Sequence, residues 1–183
     1  MNLKKDLAIV GGLFLLVVAL LIFGRGFTTG TFVEQRQEAT PSQQASSNLT
    51  QDNNNRSRVS IKTLSVFVEI ARTSDSQKKG LSGRDQLAIN EGLLFVFDTP
   101  AKYAFWMKDM KFPIDIIWID GSPAGEKKIV DIAENATVEP GKNDEELKRY
   151  TPRADALYVL EINAGLVKHN NLQIGDVVNF ELQ

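Results

Sequence analysis

The residues best suited to chemistry lie in one short stretch, FWMKDM at 105–110, where an ammonium and a carboxylate adjoin large apolar side chains. Trp106 and Met107 directly precede Lys108 and Asp109. An aromatic wall with a few polar groups at its mouth is the usual composition of a small-ligand site. The stretch therefore predicts a recognition surface. The alternative is that the aromatic residues pack in the core and Lys108 pairs with Asp109 or Asp115 at the surface.

Three other ionisable residues are candidates for a site or for a structural ion-pair network. Arg84 follows a Gly-Leu-Ser-Gly turn, and its planar guanidinium suits a bidentate pair with a carboxylate of Asp109, Asp115 or Glu161. Asp115 and Glu161 each lie inside an apolar run, where burial without a partner is costly. If these groups converge, they form either a structural network or an acid and base pair for hydrolysis, which requires carboxyl groups about 5 to 10 Å apart.

Composition excludes several other kinds of site. The chain has no cysteine and one histidine, His169, so disulfides, cysteine nucleophiles and multi-histidine metal centres cannot form. The turn at 80–83 is one residue short of a nucleophile elbow. With 21 basic and 23 acidic residues, the chain lacks the strongly basic balance of a nucleic-acid-binding protein. We expect no metal, no cofactor and no nucleic-acid partner.

The N-terminal segment predicts a membrane anchor. Residues 7–23 are uniformly apolar and follow Lys4 and Lys5, and as a helix they span about 26 Å. The bilayer core is about 30 Å thick, and residues 24–27 extend the run while Arg25 snorkels. The alternative, a cleaved signal peptide, needs a small-x-small cleavage site, of which Gly24-Arg25-Gly26 is a poor version. The positive charges place the N-terminus in the cytoplasm and the remainder of the chain outside it.

Three segments follow from composition: an anchor at 1–27, a linker at 28–57 and one folded domain at 58–183. The linker is rich in Gln, Ser, Asn and Thr and has too few apolar residues to offset the entropy of ordering. It predicts a flexible tether that holds the domain near the membrane.

The folded part predicts an all-β domain with one or two short helices. Short β-rich runs separated by turn signals favour a sandwich or a barrel, and Thr73 or Ser74 can cap a two-turn helix that ends at Gly80. A second short helix is predicted at 163–170, and 140–154 reads as a loop. The predicted strands are 60–71, 92–97, 103–107, 114–120, 127–133, 156–162 and 176–182.

Several separated motifs resemble the domain of unknown function 192 family over residues 64–182. They are GLSGR (80–84), EGLLFVF (91–97), FWMKDM (105–110), PIDIIWID (113–120), ALYVLEINAG (156–165) and IGD (174–176). The resemblance implies a compact β-sandwich similar to a jelly roll, often behind a signal or anchor. It implies no settled activity, since the family is named for lacking one.

Two positions depart from the pattern of that family. Methionine is common where Ser82 stands, and an Asn-Thr pair is common at Asp109 and Met110. The second departure argues against a role there that needs a neutral amide or a hydroxyl.

Together these features predict a non-enzymatic binding or interaction domain tethered outside the cytoplasmic membrane through residues 7–27. Its partner is a small molecule or an envelope component. The alternatives are a hydrolase of envelope material that uses Asp115 and Glu161, and a purely structural envelope module. The predicted ligand-binding residues are Arg84, Trp106, Lys108, Asp109 and Asp115.

Overall fold

The computed structural model describes residues 55–121 and 125–183. Within these ranges the chain forms seven strands and two short helices, so the predicted all-β class with short helices is confirmed. In chain order the elements are β1 (Arg58–Ile61), β2 (Leu64–Ala71), α1 (Ser74–Lys79), β3 (Glu91–Ala101), β4 (Ile114–Asp120), β5 (Lys127–Ala136), β6 (Ala156–Asn163), α2 (Leu166–His169) and β7 (Val177–Glu181).

The strands close into a barrel in the order β1-β2-β3-β6-β4-β5-β7. β2 and β3 pair in parallel, with α1 in the connection between them, and the other neighbouring strands are antiparallel. A jelly roll is a double sheet of eight strands built from two Greek keys. The closed seven-stranded barrel with a parallel pair therefore differs from the jelly-roll sandwich that the resemblance implied.

Two of the strand predictions need correction. The predicted strand 60–71 is a hairpin that turns at Lys62, where φ is +50°, because Ile61 and Leu64 are both buried and interrupt the period of two. The predicted strand 103–107 lies outside the sheet and makes a single bridge between Phe105 and Tyr150. β3 and β4 each already pair on both sides, so neither has an edge that this segment could join.

The predicted caps of α1, Thr73 at its start and Gly80 at its end, are confirmed. Thr73 Oγ1 accepts the N–H of Ser76, and Ser76 Oγ accepts the N–H of Thr73 in return, which is a capping box. The helix ends at Gly80, where φ is +51°, a conformation that glycine adopts at low cost. This end is important because Gly80 and Leu81 lie beside the site described below.

The sheet carries buried apolar side chains on both faces. One cluster fills the barrel and includes Leu94, Ile117 and Leu160. The other lies on the outer face and includes Phe95 and Trp118. Side chains alternate between the faces of a strand, so β3, β4 and β6 contribute to both clusters. The outer cluster is covered by the segments 102–113 and 137–155, and this cover forms the site.

The N-terminal predictions fall almost entirely outside the described residues. The predicted anchor at 1–27 lies outside them, as does the linker up to residue 54. No helix in the described ranges is long and apolar enough to cross a membrane. Arg56 and Ser57, which the sequence assigns to the linker, contact the barrel: Arg56 pairs with Glu91 at 2.6 Å, and the Ser57 carbonyl accepts the N–H of Val68.

Candidate functional site

A cavity of about 550 Å³ opens on the outer face of the barrel, between α1, β3 and the segment 103–110. Five of its lining residues are aromatic and form one wall. Phe97 stacks on Tyr103 with ring centroids 3.5 Å apart, and Phe95 meets Phe105 edge to face at 4.8 Å. The lining aromatic residues are Phe95, Phe97, Tyr103, Phe105 and Trp106.

Buried contacts hold the aromatic wall in place. The indole N–H of the buried Trp118 donates to the carbonyl of Tyr103 at 2.9 Å. Phe105 exchanges two backbone hydrogen bonds with Tyr150, at 2.8 and 2.9 Å. The segment 103–106 is thus fastened to the sheet on one side and to the segment 137–155 on the other, so the wall is preformed.

The mouth of the cavity is cationic. The guanidinium of Arg149 lies 3.5 Å from the ring centroid of Trp106, and Lys108 Nζ lies 5.7 Å from the same centroid. Lys108 is paired with Asp144, whereas Lys78 and Lys79 of α1 form no salt bridge within the described residues. All four cations line the cavity. Aromatic surface beside positive charge suits a flat, apolar, anionic molecule.

Glu161 of β6 is the single carboxyl group that lines this cavity among the described residues. The residue is 5% exposed, and its Oε2 atom is buried without a hydrogen-bond partner in the described structure. Burial raises the pKa of Glu161 to about 8, an effect that the charge of Arg84 partly opposes. At neutral pH this carboxyl group is therefore mostly protonated, since ionisation in an apolar surrounding is unfavourable.

Arg84 makes a different ion pair from those considered in the sequence. Its Nη1 and Nη2 atoms donate to Oε1 and Oε2 of Glu69 at 2.6 and 2.7 Å. This hydrogen bonding lowers the pKa of the Glu69 carboxyl. The charge of Arg84 also acts on Glu161, one of the three acids considered as partners, but these two described residues form no salt bridge. Arg84 is not among the residues that line the cavity.

Asp115 is fully buried, and both of its oxygens are satisfied. Oδ1 accepts the backbone N–H of Asn135 at 2.8 Å, and Oδ2 accepts that of Val167 at 2.9 Å. Residue 115 is paired with Ile162, and Ile116 with Glu161, so the carboxyl groups of Asp115 and Glu161 face opposite sides of the sheet. The structure does not bring them together as an acid and base pair.

Asp109 lies in an exposed turn with a φ of +54°. Its carbonyl accepts the N–H of Gly83 at 2.9 Å, and the Ser82 hydroxyl donates to the carbonyl of Lys108 at 2.8 Å. The two positions that depart from the family pattern, Ser82 and Asp109-Met110, thus belong to two turns in direct contact. Asp109 itself does not line the cavity.

Of the five predicted ligand-binding residues, the structure places Trp106 and Lys108 on the cavity. Sequence reasoning missed Arg149, because 140–154 shows no periodicity that would orient it. It also missed Lys78 and Lys79, which read as ordinary exposed residues of a short helix. Glu161 had a detectable signal, namely an acid in the apolar run LEI.

Two other possible sites have less support. A cavity of about 770 Å³ lies elsewhere, and its lining acids, Asp98 and Asp120, are exposed. Within residues 55–121 and 125–183, no group of three acidic or histidine side chains is placed to hold a metal ion.

Fold and site together define a small closed β-barrel domain with an aromatic cavity on its outer face. The chain belongs to the DUF192 family, described as uncharacterized ACR, whose model matches residues 57–180. This confirms the resemblance read from the motifs.

Individual relatives agree with this assignment. The chain is 29% identical over 94 residues to the UPF0127 protein TK1120 of Thermococcus kodakarensis, an alignment that covers 50% of this chain. The chain spans about half the length of that curated relative, 52%.

Two solved structures share the fold. One, from Novosphingobium aromaticivorans, is described as a protein of unknown function; it is 30% identical, with a TM-score of 0.58, and the match covers 67% of this chain and 83% of that one. The other, from Sinorhizobium meliloti, is described as a "putative transcription regulator"; it is 29% identical, also with a TM-score of 0.58, and the match covers 68% and 92%.

Proposed function

We propose that this domain binds a small molecule that has a flat apolar body and an anionic group. The apolar body lies against the aromatic wall of the cavity, and the anionic group meets the cations at its mouth. In the full chain the domain acts outside the cytoplasmic membrane, tethered by the apolar segment 7–27.

The dimensions and charge of the cavity support this proposal. A volume of about 550 Å³ lies within the range of roughly 300 to 1,000 Å³ typical of small-ligand pockets. Four cations line the cavity and a single, mostly protonated carboxyl group accompanies them. One of these cations, Lys108, is paired with Asp144, but the lining still carries a net positive charge, so an anionic ligand is favoured over a cationic one.

The observation that carries the proposal is the unpartnered Oε2 of Glu161. Buried polar atoms are almost always hydrogen-bonded, because an unmade bond costs about 1 to 3 kcal/mol. An exception in a pocket wall needs an explanation, and a ligand that supplies the missing bond is the one proposed for Glu161. Asp115, an equally buried acid with two backbone donors, shows what a purely structural carboxylate in this barrel looks like.

Binding is better supported than hydrolysis. A carboxylate-based hydrolase needs two acids that face one substrate bond. Here Asp115 faces the side of the sheet opposite to the cavity, and both of its oxygens are occupied. Among the described residues, no second acid lines the cavity beside Glu161.

The test is calorimetric titration of the full chain in lipid nanodiscs with 2-naphthoate, using empty nanodiscs as the blank. 2-Naphthalenemethanol has the same rings without the charge. We expect naphthoate to bind more tightly than the alcohol, and the Trp106→Ala and Lys108→Ala variants to lose binding while their stability stays within about 1 kcal/mol of wild type.

Lys111→Ala is the matched control for Lys108→Ala. Lys111 belongs to the same segment and pairs with an exposed acid, Asp85, but it does not line the cavity. Equal loss of binding in the Lys111 and Lys108 variants would contradict the proposal. So would unfolding of both the Trp106 and Lys108 variants, because these residues would then be structural.

The location is tested separately by mass spectrometry of the mature N-terminus and by protease treatment of spheroplasts. We expect an intact N-terminus and digestion of the domain by external protease. A domain that is protected until the membrane is lysed would contradict the proposed location and leave the binding proposal standing.

A further inference from the structure

We infer that the ligand also carries a neutral hydrogen-bond acceptor, such as a ketone or amide carbonyl, at the end opposite its anionic group, and that Glu161 donates a hydrogen bond to it. This inference rests on the proposed function and specifies the ligand class. The ligand has charge at one end, a flat apolar middle and an uncharged carbonyl at the other end.

The surroundings of Glu161 leave its Oε2 atom without a described protein partner, and the residue lines the cavity. On the neighbouring strands it lies beside Leu93 of β3 and Ile116 of β4, neither of which has a polar side-chain atom. On the cavity side stands Gly80, where a Cβ atom would lie 3.9 Å from Oε2. No described protein group bonds this buried oxygen. Because Glu161 also lines the cavity, we assign the missing partner to a molecule bound there.

Charged groups near Glu161 do not ionise it at neutral pH. Arg84 is the cation whose charge acts on it, but both arms of that guanidinium are engaged by Glu69. Lys78, Lys79, Lys108 and Arg149 complete the charged groups that line the cavity. Burial outweighs these attractions and raises the pKa of Glu161 to about 8.

Protonation gives the buried carboxyl group of Glu161 and the cations around Trp106 different ligand preferences. A protonated carboxyl group offers one O–H donor, whereas an ionised one only accepts. Placing the ligand's anionic group against Glu161 would bury a charge without a counter-ion, which is costly. The cations around Trp106 therefore receive the anion, and Glu161 receives a neutral acceptor.

The pH dependence follows from the same protonation. Below about pH 8 the donor is present, and the carbonyl gains a hydrogen bond. As the pH rises through 8, an ionised carboxylate faces the carbonyl oxygen, and the gain turns into repulsion. If only the protonated form binds, the Kd rises about tenfold for each pH unit above the pKa.

The test compares two probes, 6-acetyl-2-naphthoate and 6-ethyl-2-naphthoate, which share the anion and the rings and differ in the distal acceptor. Calorimetric titrations use the full chain in nanodiscs at pH 6.5 and pH 9, with wild type, Glu161→Gln and Glu161→Leu. The glutamine retains an N–H donor at both pH values, and the leucine has none.

We expect wild type to prefer the acetyl probe by about three- to tenfold at pH 6.5, the gain of one hydrogen bond, and to lose that preference at pH 9. Glu161→Gln should keep the preference at both pH values. Glu161→Leu should bind both probes equally. Thermal melting of each variant without probe verifies that it is folded.

The outcomes separate this inference from the proposed function. Equal binding of the two probes by wild type at pH 6.5, or the same pH profile in wild type and Glu161→Gln, overturns the inference while leaving anion binding intact. Failure of both probes to bind any folded form at either pH overturns the proposed function and the inference with it.

Discussion

Two buried carboxyl groups on neighbouring strands, Asp115 of β4 and Glu161 of β6, have opposite surroundings. Asp115 is 0% exposed and Glu161 5% exposed, so burial does not distinguish them. Asp115 accepts two backbone N–H groups, while Oε2 of Glu161 accepts none from the part of the chain that the structure describes. The difference is the face of the sheet on which each side chain lies.

The comparison shows that one barrel can contain a buried acid that stabilises the fold, Asp115, and a buried acid that lines a cavity, Glu161. The Asp115 oxygens join the end of β5 and the first turn of α2 to the start of β4, so the residue fastens three elements. The Oε2 atom of Glu161 has no hydrogen-bond partner among the described residues. Glu161 lies under covering segments that leave a cavity above it, and burial raises its pKa to about 8.

The largest expected effect is on stability and comes from replacing Asp115. Asp115→Ala leaves two buried backbone N–H groups without acceptors, at about 1 to 3 kcal/mol each. We expect the free energy of unfolding to fall by about 3 to 5 kcal/mol, measured by urea denaturation at pH 7. Asp155→Ala, an exposed acid, is the control and should change it by less than about 0.5 kcal/mol.

A loss below about 1 kcal/mol in Asp115→Ala would show that the two N–H groups find other partners. The contrast between the two acids would then be weaker than their contacts indicate.

The second prediction concerns Glu161 and the pH dependence of the free energy of unfolding. The folded-state pKa of Glu161, about 8, lies above the usual value of 4.5, so its ionisation opposes folding. Wild type should lose stability as the pH rises from about 4.5 to 8, at up to about 1.36 kcal/mol per pH unit. Glu161→Gln should match wild type near pH 5 and exceed it by about 2 to 4 kcal/mol at pH 9.

Urea denaturation of both proteins at five pH values measures this difference. Parallel curves for wild type and Glu161→Gln would mean that Glu161 ionises normally in the folded protein. The distinction between the two acids would then be lost.

The third prediction sharpens the comparison at the mouth of the cavity. Arg149→Met removes the cation stacked on Trp106 while keeping a long apolar side chain. We expect 2-naphthoate affinity to fall about five- to thirtyfold, since a cation and its aromatic contact are each worth about 0.5 to 1 kcal/mol, together about 1 to 2 kcal/mol. Calorimetric titration measures the effect.

Lys148→Met is the matched control for Arg149→Met, because Lys148 stacks on Tyr150 at 4.3 Å outside the cavity. An equal fall in affinity in both variants would point to a general charge effect rather than to the contact with Trp106.

The smallest effect should come from the two exposed lysines of α1. The double change Lys78→Gln and Lys79→Gln should weaken naphthoate binding about two- to threefold in 50 mM salt and leave it nearly unchanged in 0.5 M salt, because exposed charges are screened. An effect that persists in high salt would indicate direct contact with the ligand instead of a long-range field.

Much of the framework could be predicted from short-range patterns. β4 was predicted at 114–120 and observed at Ile114–Asp120, since a continuous apolar run bounded by turn residues is typical of a doubly buried strand. α1 was also predictable from neighbouring residues, because Thr73 caps its start and Gly80 ends it. The segment 103–107 was mistaken for a strand because its apolar residues suit either a sheet or a packed loop.

The candidate site was only partly predictable. The FWMKDM stretch provided Trp106 and Lys108, because large aromatic groups beside charges are detectable within a few residues. Arg84 was linked to the wrong acid because Glu69, its bidentate partner, lies on β2 and forms an ordinary alternating pattern there. Arg149 was missed because its position depends on the bridge between Phe105 and Tyr150.

From the sequence alone came the family, the β-rich class and the knowledge that Asp115 and Glu161 would each be costly to bury unpaired. Those properties depend on composition and on neighbours along the chain. Only the tertiary structure decided which acid received partners, because strand register sets the face on which a side chain lies, and contacts between distant segments set what it meets there. The strand register places Asp115 beside two backbone N–H donors and Glu161 in the wall of the cavity.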